Sequence, residues 1–272
     1  MSEKVLSPSD YTEPVCPFCT PERKETVPLP RVLERLDRYL NADDEAGAFR
    51  HLQYWLSEAE QLSDGRGALA ILNELVGLNR KTGREEALTY ADRALTLAAE
   101  LGLADSVTMG TTLVNAATAK KAFGKSAEAI PLFLRAKELY ERLLPPDDAR
   151  LGGLMNNMAL AYTDLCDYPA ARACYQKALS VMEAVPGAEP ERAITFLNLA
   201  DLAAAEQGEE EAREEIDSDL EKAMTLLTAE TQEQNGNYAY VCEKCAPVFG
   251  YYGYFLYERE LYERARAVKR VL

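Results

Sequence analysis

Residues 155–162 of the chain read MNNMALAY, with DYPAA following at 167–171 and YQKAL at 175–179. Apolar residues recur here every three or four positions, which is the spacing of one face of an α-helix. Asp167 separates the two periodic segments and marks a turn between them. The stretch therefore predicts a hairpin of two antiparallel helices, whose small alanines let the helices approach closely.

The same pattern returns about every 42 residues. The first helix of each unit carries a large apolar anchor, at Ile71, Leu113, Met155 and Phe196. The second helix carries an alanine near its start, at Ala87, Ala129, Ala171 and Ala212. Between the two helices the turns carry Gly83, Gly124, Asp167 and Gly208. One hairpin cannot bury its apolar faces alone, so we expect the units to stack.

The second helices also share a later alanine, at Ala94, Ala136 and Ala178. The fourth unit has Asp219 at that place. A carboxylate is a poor replacement for a small apolar contact between helices. We therefore expect the second helix of the fourth unit to be irregular.

The order of large residue, small pair, Tyr, Ala, aromatic and Ala-Leu in residues 155–179 resembles the tetratricopeptide repeat family. The family's usual period is ~34 residues, and the longer period here resembles the repeats of kinesin light chains. Four such units lie within 68–228, with weaker ones at 31–62 and 238–272. The resemblance implies an all-α, right-handed superhelical solenoid of about six hairpins over 31–272. An irregular, proline-rich arm is expected at 1–30.

Four asparagines occupy one position of the repeat: Asn73, Asn115, Asn157 and Asn198. Each lies two residues after the large anchor of its helix, which is ~200° of rotation. Their amides should therefore point away from the packed anchors. A side-chain amide has one acceptor and two donors, which suits the alternating N–H and C=O groups of an extended peptide.

In the resembled family this helix position faces a concave groove. Kinesin light chains and Gram-positive quorum-sensing receptors use such asparagines to grip peptide backbones, so the resemblance implies a peptide-binding groove. By the same register its neighbours are Asn79, Arg80, Lys121, Asn156, Thr163 and Asp201. The alternative is a structural ladder, in which the amides bond only within the stack.

Two cysteine pairs have metal-ligand spacing, Cys16 with Cys19 and Cys242 with Cys245. Four thiolates can surround zinc tetrahedrally, and an arm of about 30 residues can extend up to ~100 Å to join the pairs. Unrelated free thiols and a redox dithiol are the alternatives. Cys166 and Cys174 fall in the repeat helices, where we expect small buried side chains.

The formal net charge of −15 opposes nucleic acid or an anionic membrane as the main partner. The first fifteen residues lack the pattern of a signal peptide, and no window approaches the ~20 apolar residues of a membrane helix. We therefore expect a cytoplasmic protein. The stretch AKKAFGKS at 119–126 resembles a phosphate-binding loop, but such a loop follows a strand, and the residues before Gly124 are helical in pattern.

Three hypotheses for function follow. The first is a non-enzymatic adaptor or regulator that binds a protein or an extended peptide in the groove. The second is a scaffold that self-associates through its end units, with zinc joining the arm to the last repeat. The third is a thiol-active protein that uses Cys242 and Cys245. The aromatic run FGYYGYFLY at 249–257 fits either close helix packing or a partner surface.

Overall fold

The structure, a computed structural model, describes residues 25–229 and 234–270. Within these ranges the chain forms twelve α-helices and no strands. Their bounds are Leu29–Asn41 (α1), Glu45–Gln61 (α2), Gly65–Lys81 (α3), Glu86–Glu100 (α4), Val107–Ala122 (α5), Ser126–Leu143 (α6), Ala149–Asp164 (α7), Tyr168–Glu183 (α8), Glu189–Gln207 (α9), Arg213–Thr228 (α10), Gly236–Tyr251 (α11) and Phe255–Lys269 (α12). None of the helices in the described part of the chain is both long and apolar enough to cross a bilayer. The predicted all-α fold is confirmed.

The chain divides into two compact units, one ending at Ile71 and the other beginning at Leu72. In the first unit, α1 packs against α2, as the sequence predicts for residues 31–62. The carboxylate of Asp44 caps α2 by accepting a hydrogen bond from the Gly47 N–H at 2.7 Å. The only histidine of the chain, His51, lies in α2, and its Nε2 is 2.9 Å from the carbonyl oxygen of Val32.

In the second unit, consecutive helices pair, and the pairs stack on one another. The alanines at the two repeat positions of the second helices allow the close approach, because they are buried. The fully buried ones near the helix starts are Ala87, Ala129 and Ala171, and those further on are Ala94, Ala136 and Ala178. Between them lie Ala91, Phe133 and Tyr175, each at most 1% exposed. In α6 and α8 a large residue thus lies between two small ones within the packed interior.

The hairpin turns use left-handed backbone conformations. Gly83 and Gly124 have φ of 69° and 73°, where glycine avoids the steric penalty of a Cβ atom. The third turn places Cys166 at φ 58° instead, and Asp167 follows it as the N-cap of α8. Cys166 is exposed, so the prediction that it is a buried helical residue is wrong. Cys174, in α8, is half-buried.

Gly124 ends the stretch that resembles a phosphate-binding loop, and the structure shows its context. Residues up to Ala122 belong to α5, and α6 begins at Ser126. Since a helix rather than a strand precedes the turn, the stretch is a helical hairpin, as the repeat pattern predicts.

A second small-residue position brings the helices of one pair together. A Cβ atom added at Gly110 in α5 would lie 2.4 Å from the Tyr140 ring of α6. One repeat later, a Cβ atom at Gly152 in α7 would lie 2.6 Å from the Met182 side chain of α8. Each glycine therefore makes room for a large residue near the end of its partner helix.

The fourth unit differs from the prediction, because α10 is a regular helix. Asp219 is 5% exposed and takes the place of an alanine, yet it does not break the helix. Its Oδ1 accepts a hydrogen bond from Lys222 Nζ at 2.8 Å, one turn further along α10. The local ion pair gives the buried carboxylate a partner, and the helix stays regular.

The last hairpin, formed by α11 and α12, lies where the sequence predicts a weak unit at 238–272, but not every predicted apolar residue is buried. Phe249 and Ala265 are fully buried, whereas Leu256 is 71% exposed. The aromatic run is split by a turn at Gly253, whose φ is 86°, so Phe255 opens α12 and is also exposed. Self-association of the chain through this end stays a prediction.

The first helices of the pairs line one side of the second unit. Helix α7 contacts both α5 and α9, and α9 contacts α11. Among the described residues, no contact of similar extent joins the second helices α6, α8 and α10. The stack is therefore tighter on the side of the first helices. We call the surface formed by α3, α5, α7 and α9 on this side the inner face.

The glycine contacts predict opposite effects of the same substitution. Gly110→Ala should lower the free energy of unfolding by about 1–3 kcal/mol, because the new methyl group meets the Tyr140 ring. Gly77→Ala in α3 should raise it by up to about 1 kcal/mol, because nothing lies within 4 Å of the added atom and alanine favours helix. Urea unfolding followed by circular dichroism measures both. Equal shifts of the two variants would contradict the packing described here.

Candidate functional site

The four asparagines lie at one level of the first helices. Asn73 is in α3, Asn115 in α5, Asn157 in α7 and Asn198 in α9, and all four are half-buried. Their anchors Ile71, Leu113 and Met155 are at most 3% exposed, and Phe196 is half-buried. The rotation of two residues thus separates a packed anchor from an amide at the surface, as predicted.

The first two asparagines bond to each other. Asn115 Nδ2 donates to Asn73 Oδ1 at 2.8 Å, and Asn73 Nδ2 donates to Thr112 Oγ1 at 3.2 Å. The Thr112 hydroxyl donates in turn to the Thr108 carbonyl oxygen at 3.0 Å. This chain of hydrogen bonds crosses from α3 to α5, so the structural-ladder interpretation describes this half of the row. The Oδ1 atom of Asn115 has no hydrogen-bond partner in the described chain.

The last two asparagines do not join that ladder. Asn157 Nδ2 donates to the Gly153 carbonyl oxygen of its own helix at 2.9 Å. The amide of Asn198 makes no hydrogen bond to any residue that the structure describes. The cross-helix bond in this half comes from the neighbouring Asn156, whose Nδ2 donates to Thr195 Oγ1 at 2.7 Å. Asn156 therefore joins α7 to α9, while Asn157 and Asn198 keep unused hydrogen-bonding groups.

The other predicted groove residues differ in their exposure and in their bonding partners. Arg80 is exposed near the end of α3, and Lys121 Nζ lies 3.7 Å from Asp164 Oδ2. Asp164 also accepts a hydrogen bond from the Ser126 hydroxyl at 2.6 Å. Asn79 is fully buried, and its amide donates to the Leu75 carbonyl oxygen, so its prediction as a groove neighbour is wrong. Its position in the last turn of α3 turns it into the core rather than towards solvent.

Thr163 bonds locally, since its hydroxyl donates to the Ala159 carbonyl oxygen at 3.0 Å. The charged residues near the inner face change sign along the row. Arg80 in α3 and Lys121 in α5 give way to Asp164 in α7 and Asp201 in α9. The inner face therefore presents cations at one end and carboxylates at the other.

Asp201 lies one helical turn beyond Asn198 on α9. Its side chain is exposed to solvent, yet the surrounding protein raises its pKa by desolvation. The two observations agree where a surface is concave, because solvent reaches the carboxylate from one side only. The Tyr252 hydroxyl donates to Asp201 Oδ1 at 2.8 Å, which lowers the pKa of the carboxyl in part.

Tyr252 is a site residue that the sequence analysis missed. It is 6% exposed at the end of α11, and its pKa is raised by burial and by the charge of Asp201. It belongs to the aromatic run and directly follows α11, before the turn at Gly253. Its neighbour Tyr251 is 69% exposed and bonds to Glu209. The repeat spacing gives no signal for this contact, because Asp201 and Tyr252 are 51 positions apart.

The cysteines of the last hairpin do not fit a zinc site. Cys242 and Cys245 are 0% and 1% exposed, three residues apart in α11, like the buried pair Met155 and Met158 in α7. Burial raises the pKa of both thiols, that of Cys245 to about 12. Zinc binds thiolates, so these neutral, enclosed groups are poor ligands.

The other half of the predicted metal site, Cys16 and Cys19, lies outside the described residues. In the part of the chain that the structure describes, no three metal-binding side chains come together. The zinc site joining arm and last repeat stays a prediction that the geometry of Cys242 and Cys245 does not favour. Burial of both thiols likewise disfavours the redox dithiol, which needs an accessible thiolate.

Comparison with known proteins shows the family. A family model described as "Tetratricopeptide repeat" matches residues 67–142 and 151–215, more than half of the chain. No curated protein matches the sequence.

Solved structures similar to this chain are helical repeat proteins. BtubC (BKLC) from P. vanneervenii has a TM-score of 0.63 and 22% identity, covering 74% of this chain and 82% of that one. A putative kinesin light chain from Podosopora anserina, with nearly identical TPR-like repeats, has a TM-score of 0.51 and 18% identity, covering 74% and 94%. A Rap protein complexed with competence and sporulation factor has a TM-score of 0.55 and 14% identity, covering 87% and 73%. At these identities the similarities show the fold alone.

The raised pKa of Asp201 predicts a gain of stability on neutralising it. The ionised carboxylate is less favourable in the folded chain than in the unfolded one, so it costs stability above the folded pKa. Below the unfolded value, about 4, the cost is absent. Asp201→Asn, which can still accept the Tyr252 hydrogen bond, should therefore raise Tm at pH 7, and the gain should fade as pH falls towards about 4.

The matched control is Asp92→Asn, because Asp92 is exposed on α4 and its removal changes the net charge equally. It should give no pH-dependent gain. Thermal unfolding of both variants between pH 4 and pH 7 measures the difference. The same curve for the two variants would contradict desolvation of Asp201.

Burial of the thiols predicts their reactivity. In native protein, N-ethylmaleimide at neutral pH should label the exposed Cys166 quickly and leave Cys242 and Cys245 unlabelled until the chain unfolds. Peptide mapping by mass spectrometry reads each site. Addition of a zinc chelator should change nothing. Labelling of Cys242 that begins only after chelation would show instead that a metal holds it.

Proposed function

Because this chain belongs to the tetratricopeptide repeat family, we propose that it is a non-enzymatic adaptor or regulator that binds an extended protein segment on its inner face. The observation that carries this proposal is the uneven bonding of the asparagine row. Asn73 and Asn115 hold α3 to α5, whereas Asn157 and Asn198 keep hydrogen-bonding groups that the described chain does not use.

The chemistry of the inner face supports binding rather than turnover. Amide groups neither take up nor release protons near neutral pH, so they orient a ligand without activating it. Donors and acceptors at one level of successive helices match the main chain of an extended segment, whose N–H and C=O groups alternate. Such contacts are independent of the side chains of the ligand. The similarity in fold to a Rap protein complexed with competence and sporulation factor is in keeping with this use of the inner face.

The first half of the row serves a second purpose under this proposal. The ladder from Asn73 to Thr112 fixes the distance between α3 and α5. The Oδ1 atom of Asn115, which the ladder leaves unused, continues the set of groups offered by Asn157 and Asn198. A bound segment would therefore contact three helices, α5, α7 and α9. The chain is expected to act in the cytoplasm, as the sequence predicts.

The test separates binding from stability within one row of residues. The double variant Asn157→Ala and Asn198→Ala should lose binding of peptides selected by the wild-type chain from a phage-displayed dodecapeptide library. A loss of about tenfold or more in affinity is expected for two hydrogen bonds of about 1 kcal/mol each, and its unfolding should be almost unchanged. Asn73→Ala should instead lower the free energy of unfolding by about 1 kcal/mol, because it removes the partner of Asn115.

Asn41→Ala is the control, since Asn41 ends α1 in the first unit, is exposed and is not a member of the row. It should bind the selected peptides like the wild type. Fluorescence anisotropy with labelled peptides measures affinity, and circular dichroism measures folding. Selection of no peptide, or equal binding by the double variant, would overturn the proposal.

A further inference from the structure

Asp201 and Asp164 are two carboxylates near the inner face that differ in their partners within the described chain. Asp164, at the end of α7, has Lys121 Nζ at 3.7 Å and the Ser126 hydroxyl at 2.6 Å. Asp201 has only the neutral Tyr252 hydroxyl, which bonds to Oδ1. In the described chain no cationic side chain contributes to its environment, and Oδ2 has no hydrogen-bond partner.

The surroundings of Asp201 make an added cation favourable. Tyr175 of α8 is buried, and the charges of both Asp201 and Asp164 raise its pKa further. Glu209, in the turn after α9, acts together with Asp201 in raising the pKa of Tyr252. Asp201 is thus the one of these three carboxylates whose charge acts on both tyrosines. A carboxylate that is partly desolvated attracts a cation more strongly than one in bulk water.

Tyr252 also fixes where the carboxylate points. Tyr252 is the last residue before the turn at Gly253, and its side chain belongs to the core of the last hairpins. Because the hydrogen bond from Tyr252 fixes Oδ1, Oδ2 also keeps one orientation. The Asp201 side chain is therefore already ordered before a ligand binds. A preorganised acceptor of this kind loses little entropy on binding.

On this basis, and resting on the proposed function, we propose that Asp201 binds an arginine or lysine side chain of the extended segment held by the asparagine row. Asn198 and Asp201 lie one turn apart on α9, so a segment whose main chain reaches Asn198 has a neighbouring side chain at the carboxylate.

The position in the stack favours a side chain over a free amino terminus. Helix α11 contacts α9 on the far side from α7, so a segment crossing the row continues past Asp201 rather than ending at it. The charged residues of the inner face also determine how the charges of the ligand should be distributed along it. Basic residues should lie at the α9 end, and acidic residues should be tolerated near Arg80 and Lys121 at the other end.

The experiment uses the full chain and a positional-scanning library of nonapeptides with acetylated amino termini and amidated carboxyl termini. Blocking the termini leaves side chains as the only cations. The wild-type chain should enrich arginine or lysine at one position of the bound peptides. A synthetic peptide with that residue should lose about tenfold in affinity when it is replaced by the uncharged citrulline or norleucine, as a charge-assisted hydrogen bond predicts.

Asp201→Asn should remove the enrichment and bind the basic and the uncharged peptides equally. Asp92→Asn, the control of equal charge change on the exposed side of α4, should keep the full preference. Both variants should fold like the wild type by circular dichroism, since asparagine can accept the Tyr252 hydrogen bond.

The outcomes distinguish this inference from the proposed function. Peptides bound by the wild type without any basic preference would overturn the role of Asp201 and leave the groove proposal intact. Binding only of peptides with a free amino terminus, in a parallel library without acetylation, would show that the carboxylate takes a terminal ammonium and would likewise overturn the assignment to a side chain. Failure to bind peptides in either library would overturn both.

Discussion

The close approach of paired helices at small residues is the contact on which the rest of the structure depends. Ala129 and Ala136 in α6, and Ala171 and Ala178 in α8, are fully buried against the first helix of their pair. The space that the alanines save is filled by one large residue between them, such as Phe133. Because this arrangement recurs at a fixed interval, each pair presents the same face to the next, and the pairs stack.

The stacking decides what the first helices can do. The large apolar anchors of these helices are packed in the core. The asparagines two positions later therefore lie at the surface, at the same height on successive helices. Helix α7 contacts α5 and α9 directly, which keeps the amides of neighbouring repeats within reach of each other. Where two amides meet, as at Asn73 and Asn115, they bond and hold the helices. Where they do not, as at Asn157 and Asn198, the amides keep hydrogen-bonding groups that the described chain does not use. Under the proposed function, one repeated residue type thus has two uses.

The cost of Asp201 is consistent with a site of recognition. A carboxylate whose pKa is raised by desolvation lowers the stability of the folded chain at neutral pH. Binding sites commonly hold such unfavourable groups, because the ligand supplies the missing interaction. The same chain shows the contrast, since Asp219 is buried within a helix and is paired with Lys222 of its own helix. The structural acid has an internal cation, and the acid on the inner face does not.

The periodic part of the fold could be predicted from the sequence, whereas the bonding within the site could not. Alanines and anchors repeat at a constant interval, so they reveal helix pairs, turns and the level of the asparagines. The bond from Asn73 to Thr112 joins residues 39 positions apart, and it depends on the separation of α3 and α5. Asn79 shows the same limit, because this predicted groove residue is fully buried and bonds to the Leu75 carbonyl oxygen of its own helix.

The cysteines and the aromatic run misled for a related reason. A spacing of three residues serves both metal ligands and the buried side of a helix, and only burial distinguishes the two uses. Cys242 and Cys245 follow the second use. Cys166 takes a left-handed turn position that other repeats give to glycine, which a pattern of residue types does not reveal. Tyr252 bonds to Asp201 across 51 positions, which the pattern of residue types does not reveal.

The central claim is that the inner face binds the main chain of an extended segment through amide groups. The most direct measurement compares a selected peptide with analogues in which one backbone N–H at a time is replaced by an ester oxygen, by isothermal titration calorimetry. We predict that one or two positions facing Asn157 and Asn198 lose roughly fivefold in affinity, as one neutral hydrogen bond implies, and that the loss disappears in the Asn157→Ala, Asn198→Ala variant. Equal affinity of all ester analogues for the wild-type chain would contradict recognition of the main chain.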